Sequence, residues 1–162
     1  MAPKVSICIP AYLQIQFLKQ TIESVLAQNY NVYEIVITDD SPDSSVENLF
    51  SEFPKNEKIR YFRNVKQLGS PMNWNESVRL SSGEYIKIMH HDDWFENSTS
   101  LSQVVEMLDS NPEAGFAFSG AIAQPASAQR PWHHFASSFW LSRLKKEPTG
   151  LFLQNIIGPP SA

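Results

Sequence analysis

The sequence holds a single cysteine, Cys8, among 162 residues. No intramolecular disulfide and no thiolate metal cluster can form from it. Between Ile7 and Ile9 it reads as a buried core thiol, which suits a reducing compartment. No apolar run approaches the roughly 20 residues that span a bilayer, and Met1-Ala2-Pro3-Lys4 leads straight into a strand-like segment without a secretory leader. Positive charge is scarce. Lys and Arg number 13 against 17 Asp and Glu, a net charge of −4, which argues against nucleic-acid binding because a phosphate backbone needs a basic footprint. Gly-x-Gly-x-x-Gly and Gly-x-x-x-x-Gly-Lys-Ser/Thr are both missing, so any phosphate would have to be held by other means, a metal ion first among them. Internal repeats and low-complexity tracts are missing too. The 42% hydrophobic and 19% charged content is that of an ordinary globular protein, and the expectation is one cytosolic or cytosol-facing domain, residues 1–162.

Strand and helix signals alternate along the chain. Val5-Ser6-Ile7-Cys8-Ile9 is a β-branched apolar run that stops at Pro10. Phe17, Leu18, Thr21, Ile22, Val25 and Leu26 recur at helical spacing, an apolar stripe. Glu34-Ile35-Val36-Ile37-Thr38 is a second strand, followed by the turn formers Asp39-Asp40-Ser41-Pro42-Asp43. Ser44 and Glu47 resemble a capping box for a short helix through Val46, Leu49, Phe50 and Phe53. Ile59-Arg60-Tyr61-Phe62 reads as a third strand. Gly69-Ser70-Pro71 opens a helix with Ser70 as N-cap, and Gly83 closes it. Tyr85-Ile86-Lys87-Ile88-Met89 is a fourth strand that runs into His90-His91-Asp92-Asp93. Leu101, Val104, Val105 and Leu108 mark another helix, and Gly115-Phe116-Ala117-Phe118 a further strand. The β-α-β-α order argues for a mostly parallel sheet flanked by helices. Beyond Gly120 the pattern loosens, and the aromatic run Pro131-Trp132-His133-His134-Phe135 has no clear period.

Ligands of open parallel sheets bind outside the carboxyl ends of the strands. Pro10-Ala11-Tyr12, Asp39-Asp40 and Asp92-Asp93 all follow strands, so all three are expected on one rim. Carboxylates with no thiolate nearby suit a hard cation, Mg²⁺ or Mn²⁺, which takes one or two protein carboxylates and fills the rest with water and phosphate. His90 or His91 fits the same role, since imidazole tolerates Mn²⁺. Each feature has a plainer reading. Asp92-Asp93 would serve as helix-capping residues, Asp39-Asp40 as turn formers, Tyr12 as a core aromatic rather than a base-stacking one, and Trp74 as a packing residue. His133 and His134 read as surface histidines with no nucleophile to activate.

In order and spacing these motifs resemble the family-two inverting glycosyltransferases, the capsule, O-antigen and spore-coat sugar transferases. Val5 to Tyr12 resembles that family's opening strand and Pro-x-Tyr-Asn turn. Ile35-Val36-Ile37-Thr38-Asp39-Asp40-Ser41 resembles its second strand and Asp-Asp-Gly-Ser loop. Gly69 through Asn75, with Ser82-Gly83-Glu84-Tyr85-Ile86, resembles its Gly…Asn…Gly-Glu-Tyr-Ile stretch. His90-His91-Asp92-Asp93 falls where its Asp-x-Asp metal motif belongs.

The resemblance implies a GT-A-type α/β/α nucleotide-binding sandwich. It further implies that Pro10, Ala11, Tyr12, Asp39, Asp40, Asn75 and His91 bind the nucleotide of a UDP-sugar, with Asp40 accepting from the base N–H. Asp92, Asp93 and His90 would hold Mn²⁺ or Mg²⁺ against the diphosphate. A glycan would be the acceptor, and the full-length protein would sit peripherally at the inner membrane face. Three positions depart from the pattern. His90 replaces the first acid of Asp-x-Asp, Leu13 stands where Asn is usual, and Ser41-Pro42 replaces Gly-Ser. The family's general base has no counterpart here and is expected beyond Ala162. With it missing, apolar residues near Phe152, Ile156 and Ile157 are expected to promote self-association. A sugar-1-phosphate nucleotidyltransferase would need a glycine-rich basic loop after the first strand, which Pro10 to Gln14 does not supply. The alternative from another class is a non-catalytic nucleotide-sugar-binding domain.

Overall fold

Two strands at the centre of the chain's first sheet are buried along their whole length, because each has a neighbour on both edges and helices on both faces. These are β1 (Val5–Ala11) and β2 (Tyr33–Asp39) in a computed structural model that describes residues 2–53, 55–124 and 130–134, with Ser142 and Lys146. β3 (Ile59–Arg63) and β4 (Tyr85–Ile88) flank them, in the order β3-β2-β1-β4, and all pairings are parallel. The helices are α1 (Ile15–Leu26), α2 (Ser45–Glu52), α3 (Met72–Leu80) and α4 (Ser100–Asp109). The chain falls into two compact units, Met1–Gln103 and Val104–Ala162. In the second, β5 (Ala121–Ala123) pairs antiparallel with β6 (Trp132–His134). Phe152, Ile156 and Ile157, expected to promote self-association, lie outside the described residues.

Side chains alternate across the sheet, so Ile7, Ile9, Ile35 and Ile37 share one face, fully buried together with Leu18, Ile22 and Val25 of α1. On that face the Tyr33 hydroxyl donates to the Val25 carbonyl and the Phe50 ring of α2 lies 4.7 Å from that of Tyr61. On the other face α3 covers the sheet, where Cys8 Sγ reaches the Ser77 carbonyl and Thr38 Oγ1 donates to that of Asn73. The expected parallel sheet between helix layers is therefore present.

Local differences from the sequence reading have physical causes. β1 runs through Pro10 to Ala11 because β4 pairs only with residues 5–8, so no ladder bond is lost where proline has no N–H. The Ser44 hydroxyl makes no cap bond; it accepts instead from Arg63, which also holds Glu47. α3 starts one residue late, with Pro71 rather than Ser70 at the cap position. Gly83 lies beyond α3 and matters for close approach. A Cβ there would come within 2.6 Å of the Ser6 backbone nitrogen. Residues 115–118 form no strand; the Phe116 and Phe118 rings stack on each other at 6.3 Å.

At the end where the strands begin, Glu34 joins all four. Its carboxylate accepts from the Ser6 hydroxyl at 2.7 Å, from Arg60 at 2.6 Å, and from the Ser82 backbone N–H and hydroxyl at 2.7 and 2.8 Å. Burial alone would raise its pKa, but the donors from Ser6, Arg60 and Ser82 outweigh it and hold Glu34 at about 2 against an ordinary 4.5. A lowered folded value means that ionised Glu34 stabilises the fold above about pH 4.5 and loses that contribution as pH falls toward 2. Glu34→Gln is therefore expected to cost about 3 kcal/mol at neutral pH. In urea denaturation the gap to wild type should close in acid; a gap that stays constant from pH 7 to 3 would contradict the assignment.

Candidate functional site

All four parallel strands end on one rim, and the rim is built from main chain and carboxylates. Ala11 is buried, and its carbonyl accepts from the Asp40 N–H at 3.0 Å and from the Asn73 side chain at 3.4 Å. The Pro10 carbonyl lies 3.3 Å from His91 Nδ1. A carbonyl oxygen only accepts, so Nδ1 is the donor in that contact. Tyr12 follows with 41% of its surface exposed. Leu13 and Gln14 then take left-handed backbone angles, φ 54° and 49°. Asn tolerates that region better than Leu does, so the turn costs some strain. Ser41 steadies it by accepting the Leu13 N–H at 2.9 Å.

The Asp39 and Asp40 carboxylates are occupied by the protein itself. Asp39 has no exposed surface, and it accepts from the Ser41 N–H at 2.8 Å and the Tyr61 hydroxyl at 2.7 Å. Burial, and then this bond to Asp39, push the Tyr61 phenol well above its ordinary pKa. Asp40 accepts from the backbone N–H groups of Leu68 and Gly69, both at 2.7 Å, and from the Asn64 amide at 2.8 Å. A carboxylate has about four acceptor positions, and three of those of Asp40 are filled by described residues. Gly69 is the residue that this arrangement needs, since its φ of 74° turns the chain toward Asp40. Beside Ser41 and Asn64 lies an open cleft of about 400 Å³, whose walls include Pro42, Arg63, Lys66 and Gln67.

The 90–93 turn is the opposite case. Asp92 is exposed and accepts no hydrogen bond from any described residue. Asp93 Oδ2 is buried without a hydrogen-bond partner, as are Nε2 of His90 and of His91. Burial lowers the pKa of Lys87 on β4, and the nearby Asp93 charge pulls it back up. His90 packs edge-on against Trp74 of α3, with ring centroids 4.6 Å apart. Among the described residues no three His, Cys, Asp or Glu side chains form a cage for a metal ion. Two carboxylates without a hydrogen-bond donor among the described residues fit a cation that completes its shell with water and phosphate.

Of the residues singled out in the sequence, the structure brings Pro10, Ala11, Asp39, Asp40 and His91 together through these bonds, with Tyr12 and Asp92-Asp93 on the adjoining turns. Asn75 lies on an exposed side of α3. It is Asn73, two residues earlier and buried, that reaches the strand ends, donating to the Ala11 and Thr38 carbonyls and accepting from Asn64. Asn64 and Asn73 were not visible as site residues, because only the tertiary fold brings them to Asp40.

The comparisons with known proteins agree with this geometry. A Rickettsia bellii protein named an uncharacterized glycosyltransferase is 32% identical over 108 residues, 67% of this chain and 16% of that protein. The crystal structure of S. aureus TarS 1-349 in complex with UDP-GlcNAc superposes with a TM-score of 0.60 at 20% identity, over 67% of this chain and 32% of that one. The mannosyltransferase PcManGT from Pyrobaculum calidifontis, in complex with GDP-Man and Mn²⁺, gives 0.58 at 20% identity, over 67% and 33%. The chain thus spans under a fifth of that relative and about a third of each solved chain. At these identities the two structures show the fold, which is of the GT-A type. Residues 6–160 match the family described as Glycosyl transferase family 2, and the chain, with its parallel sheet and acidic rim, belongs to that family.

Proposed function

We propose that this chain is the donor-binding part of an inverting glycosyltransferase. It takes a nucleotide-diphosphate sugar, a UDP-sugar, together with Mn²⁺ or Mg²⁺, and serves sugar transfer to a glycan hydroxyl in polysaccharide biosynthesis. The observation that carries this reading is the contrast at the rim. Asp39 and Asp40 are tied into the fold, while the side chains of Asp92 and Asp93 accept no hydrogen bond from any described residue. The complexes of structural neighbours with UDP-GlcNAc and with GDP-Man and Mn²⁺ support the choice of donor and cation. The family match spans both compact units, which supports reading residues 1–162 as one nucleotide-sugar-binding domain.

In this reading Tyr12 stacks on the base, and the fourth acceptor position of Asp40 accepts its ring N–H. Pro10 and Ala11 shape the floor through their carbonyls, and Asp39, with no exposed surface, supports Asp40 from behind. His91 meets the rest of the nucleotide from the rim, and Asn75 could do so only from the exposed side of α3. Asp92, with Asp93 and His90 beside it, holds the cation, which when bound offsets the negative charge that builds on the leaving diphosphate. The lone thiol supports a cytoplasmic setting, and in this reading the full-length protein works at the inner face of the membrane. Burial raises the Cys8 pKa to about 11, so it stays protonated and unreactive. No described helix is long and apolar enough to cross a membrane.

Two substitutions test these roles. At a UDP concentration about a hundredfold above its Kd, wild type should gain about 2.7 kcal/mol of stability, more of it with Mn²⁺ present than without. Asp92→Ala should keep the unliganded melting temperature and lose the Mn²⁺-dependent part; an equal Mn²⁺ effect in both proteins would remove Asp92 from the metal site. Asp40→Ala should weaken UDP binding in isothermal titration by about 1–3 kcal/mol. It should also lower the melting temperature, because the Leu68 and Gly69 N–H groups lose their acceptor. A lower melting temperature with an unchanged Kd would confine Asp40 to the fold.

A further inference from the structure

Helix α1 carries polar side chains along a line that runs beside its apolar stripe, and they bond to the segment that bears Asp92 and Asp93. Thr21 is fully buried, with Oγ1 2.9 Å from the His91 carbonyl and 2.7 Å from that of Asp93. Its single proton is shared between them. Ser24 Oγ accepts the Phe95 N–H at 3.2 Å. Gln28, buried two residues past the helix, donates to the Asn97 carbonyl at 2.8 Å and accepts the Leu101 N–H at 2.9 Å. Spacings of three and four residues line these side chains up on one side of a helix.

Residues 91–99 form neither helix nor strand, so much of their main chain must find partners elsewhere. α1 supplies them, and Pro10 pins the turn from the other side through His91. Backbone held from two sides, with side-chain carboxylates left open, is the arrangement that lowers the ordering cost of binding a ligand.

We infer that Thr21, Ser24 and Gln28 are positioning residues, holding the 91–101 segment so that Asp92 and Asp93 are set in one arrangement before any ligand arrives. What the carboxylates bind rests on the donor-and-cation reading above; the holding itself does not. Thr21→Val keeps shape and removes the hydroxyl, leaving two carbonyls without their donor, and Thr21→Ser keeps the donor.

The test has two arms. In ligand-free protein, amide hydrogen exchange at Asp93 and Phe95 should quicken in Thr21→Val by about tenfold, the scale of one lost hydrogen bond, and return toward wild type in Thr21→Ser. In the presence of saturating UDP, Mn²⁺ should bind Thr21→Val roughly 10- to 100-fold more weakly, with uridine affinity in the absence of metal unchanged. Unchanged exchange at both amides overturns the inference. Faster exchange with wild-type Mn²⁺ affinity also overturns it, because the contacts would then serve the fold alone. If wild type shows no Mn²⁺-dependent UDP binding, the donor reading falls, and the exchange arm by itself still decides whether α1 holds the turn. Should Thr21→Val not fold, Ser24→Ala removes the acceptor of the Phe95 N–H, along with the bond from Ser24 to the Thr21 carbonyl within α1, and is judged by the same two measurements.

Discussion

A carboxylate buried where four strands begin is the constraint on which the sheet depends. Taking the Glu34 charge out of water is costly unless donors replace its hydration. The donors come from β1, from β3 and from the residues that lead into β4. Their places fix how the strands stand against one another at that end, and Gly83 permits the close approach, since any side chain there would meet the backbone of β1. With the starts of parallel strands fixed and their registers in step, the loops that follow them must open together at the far rim.

At that rim two pairs of aspartates look alike in sequence and behave differently. Asp39 and Asp40 are inside the fold, where they bind backbone and side-chain donors from the Ser41 turn and the loop before α3. The 90–93 turn is held through the main chain of His91 and Asp93, while the Asp92 and Asp93 side chains accept nothing from the described residues. The rim thus carries one pair bound into the fold and one pair whose side chains have no hydrogen-bond donor among the described residues. Asp39-Asp40 could be read as turn formers or as ligands, and Asp92-Asp93 as helix-capping residues or as ligands. For the first the structure shows a structural use, and the second does not behave as a helix cap, because α4 begins only at Ser100.

The sheet was legible because β-branched runs such as Ile35-Val36-Ile37 have little else to become, and because turn formers follow each of them directly. The rim was legible for the same reason, as strand ends locate it. What stayed hidden depended on distant partners. Thr21 read as one more member of an apolar stripe, since helical spacing cannot tell a buried methyl from a buried donor. Asn75 stood out by its place in the motif, while Asn73, two residues earlier and on the buried side of α3, does the bonding. The Ser44 capping box failed to form since Arg63, nineteen residues on, competes for the same oxygens. The strand expected at 115–118 had pattern without a pairing partner among the described residues. Pro10 read as a stop, yet the strand passes through it, for β4 asks for no donor at that position.

The central claim is that a cation and a nucleotide diphosphate meet between Asp92-Asp93 and the turns after β1 and β2. Paramagnetic broadening by Mn²⁺ reads this directly. In the presence of UDP, trace Mn²⁺ should erase the amide signals of residues 91–93 first and those of Ala11 and Tyr12 next, while Glu34 and Ser82 at the opposite end of the sheet stay sharp. Broadening centred elsewhere, or the same broadening without UDP as with it, would contradict the account.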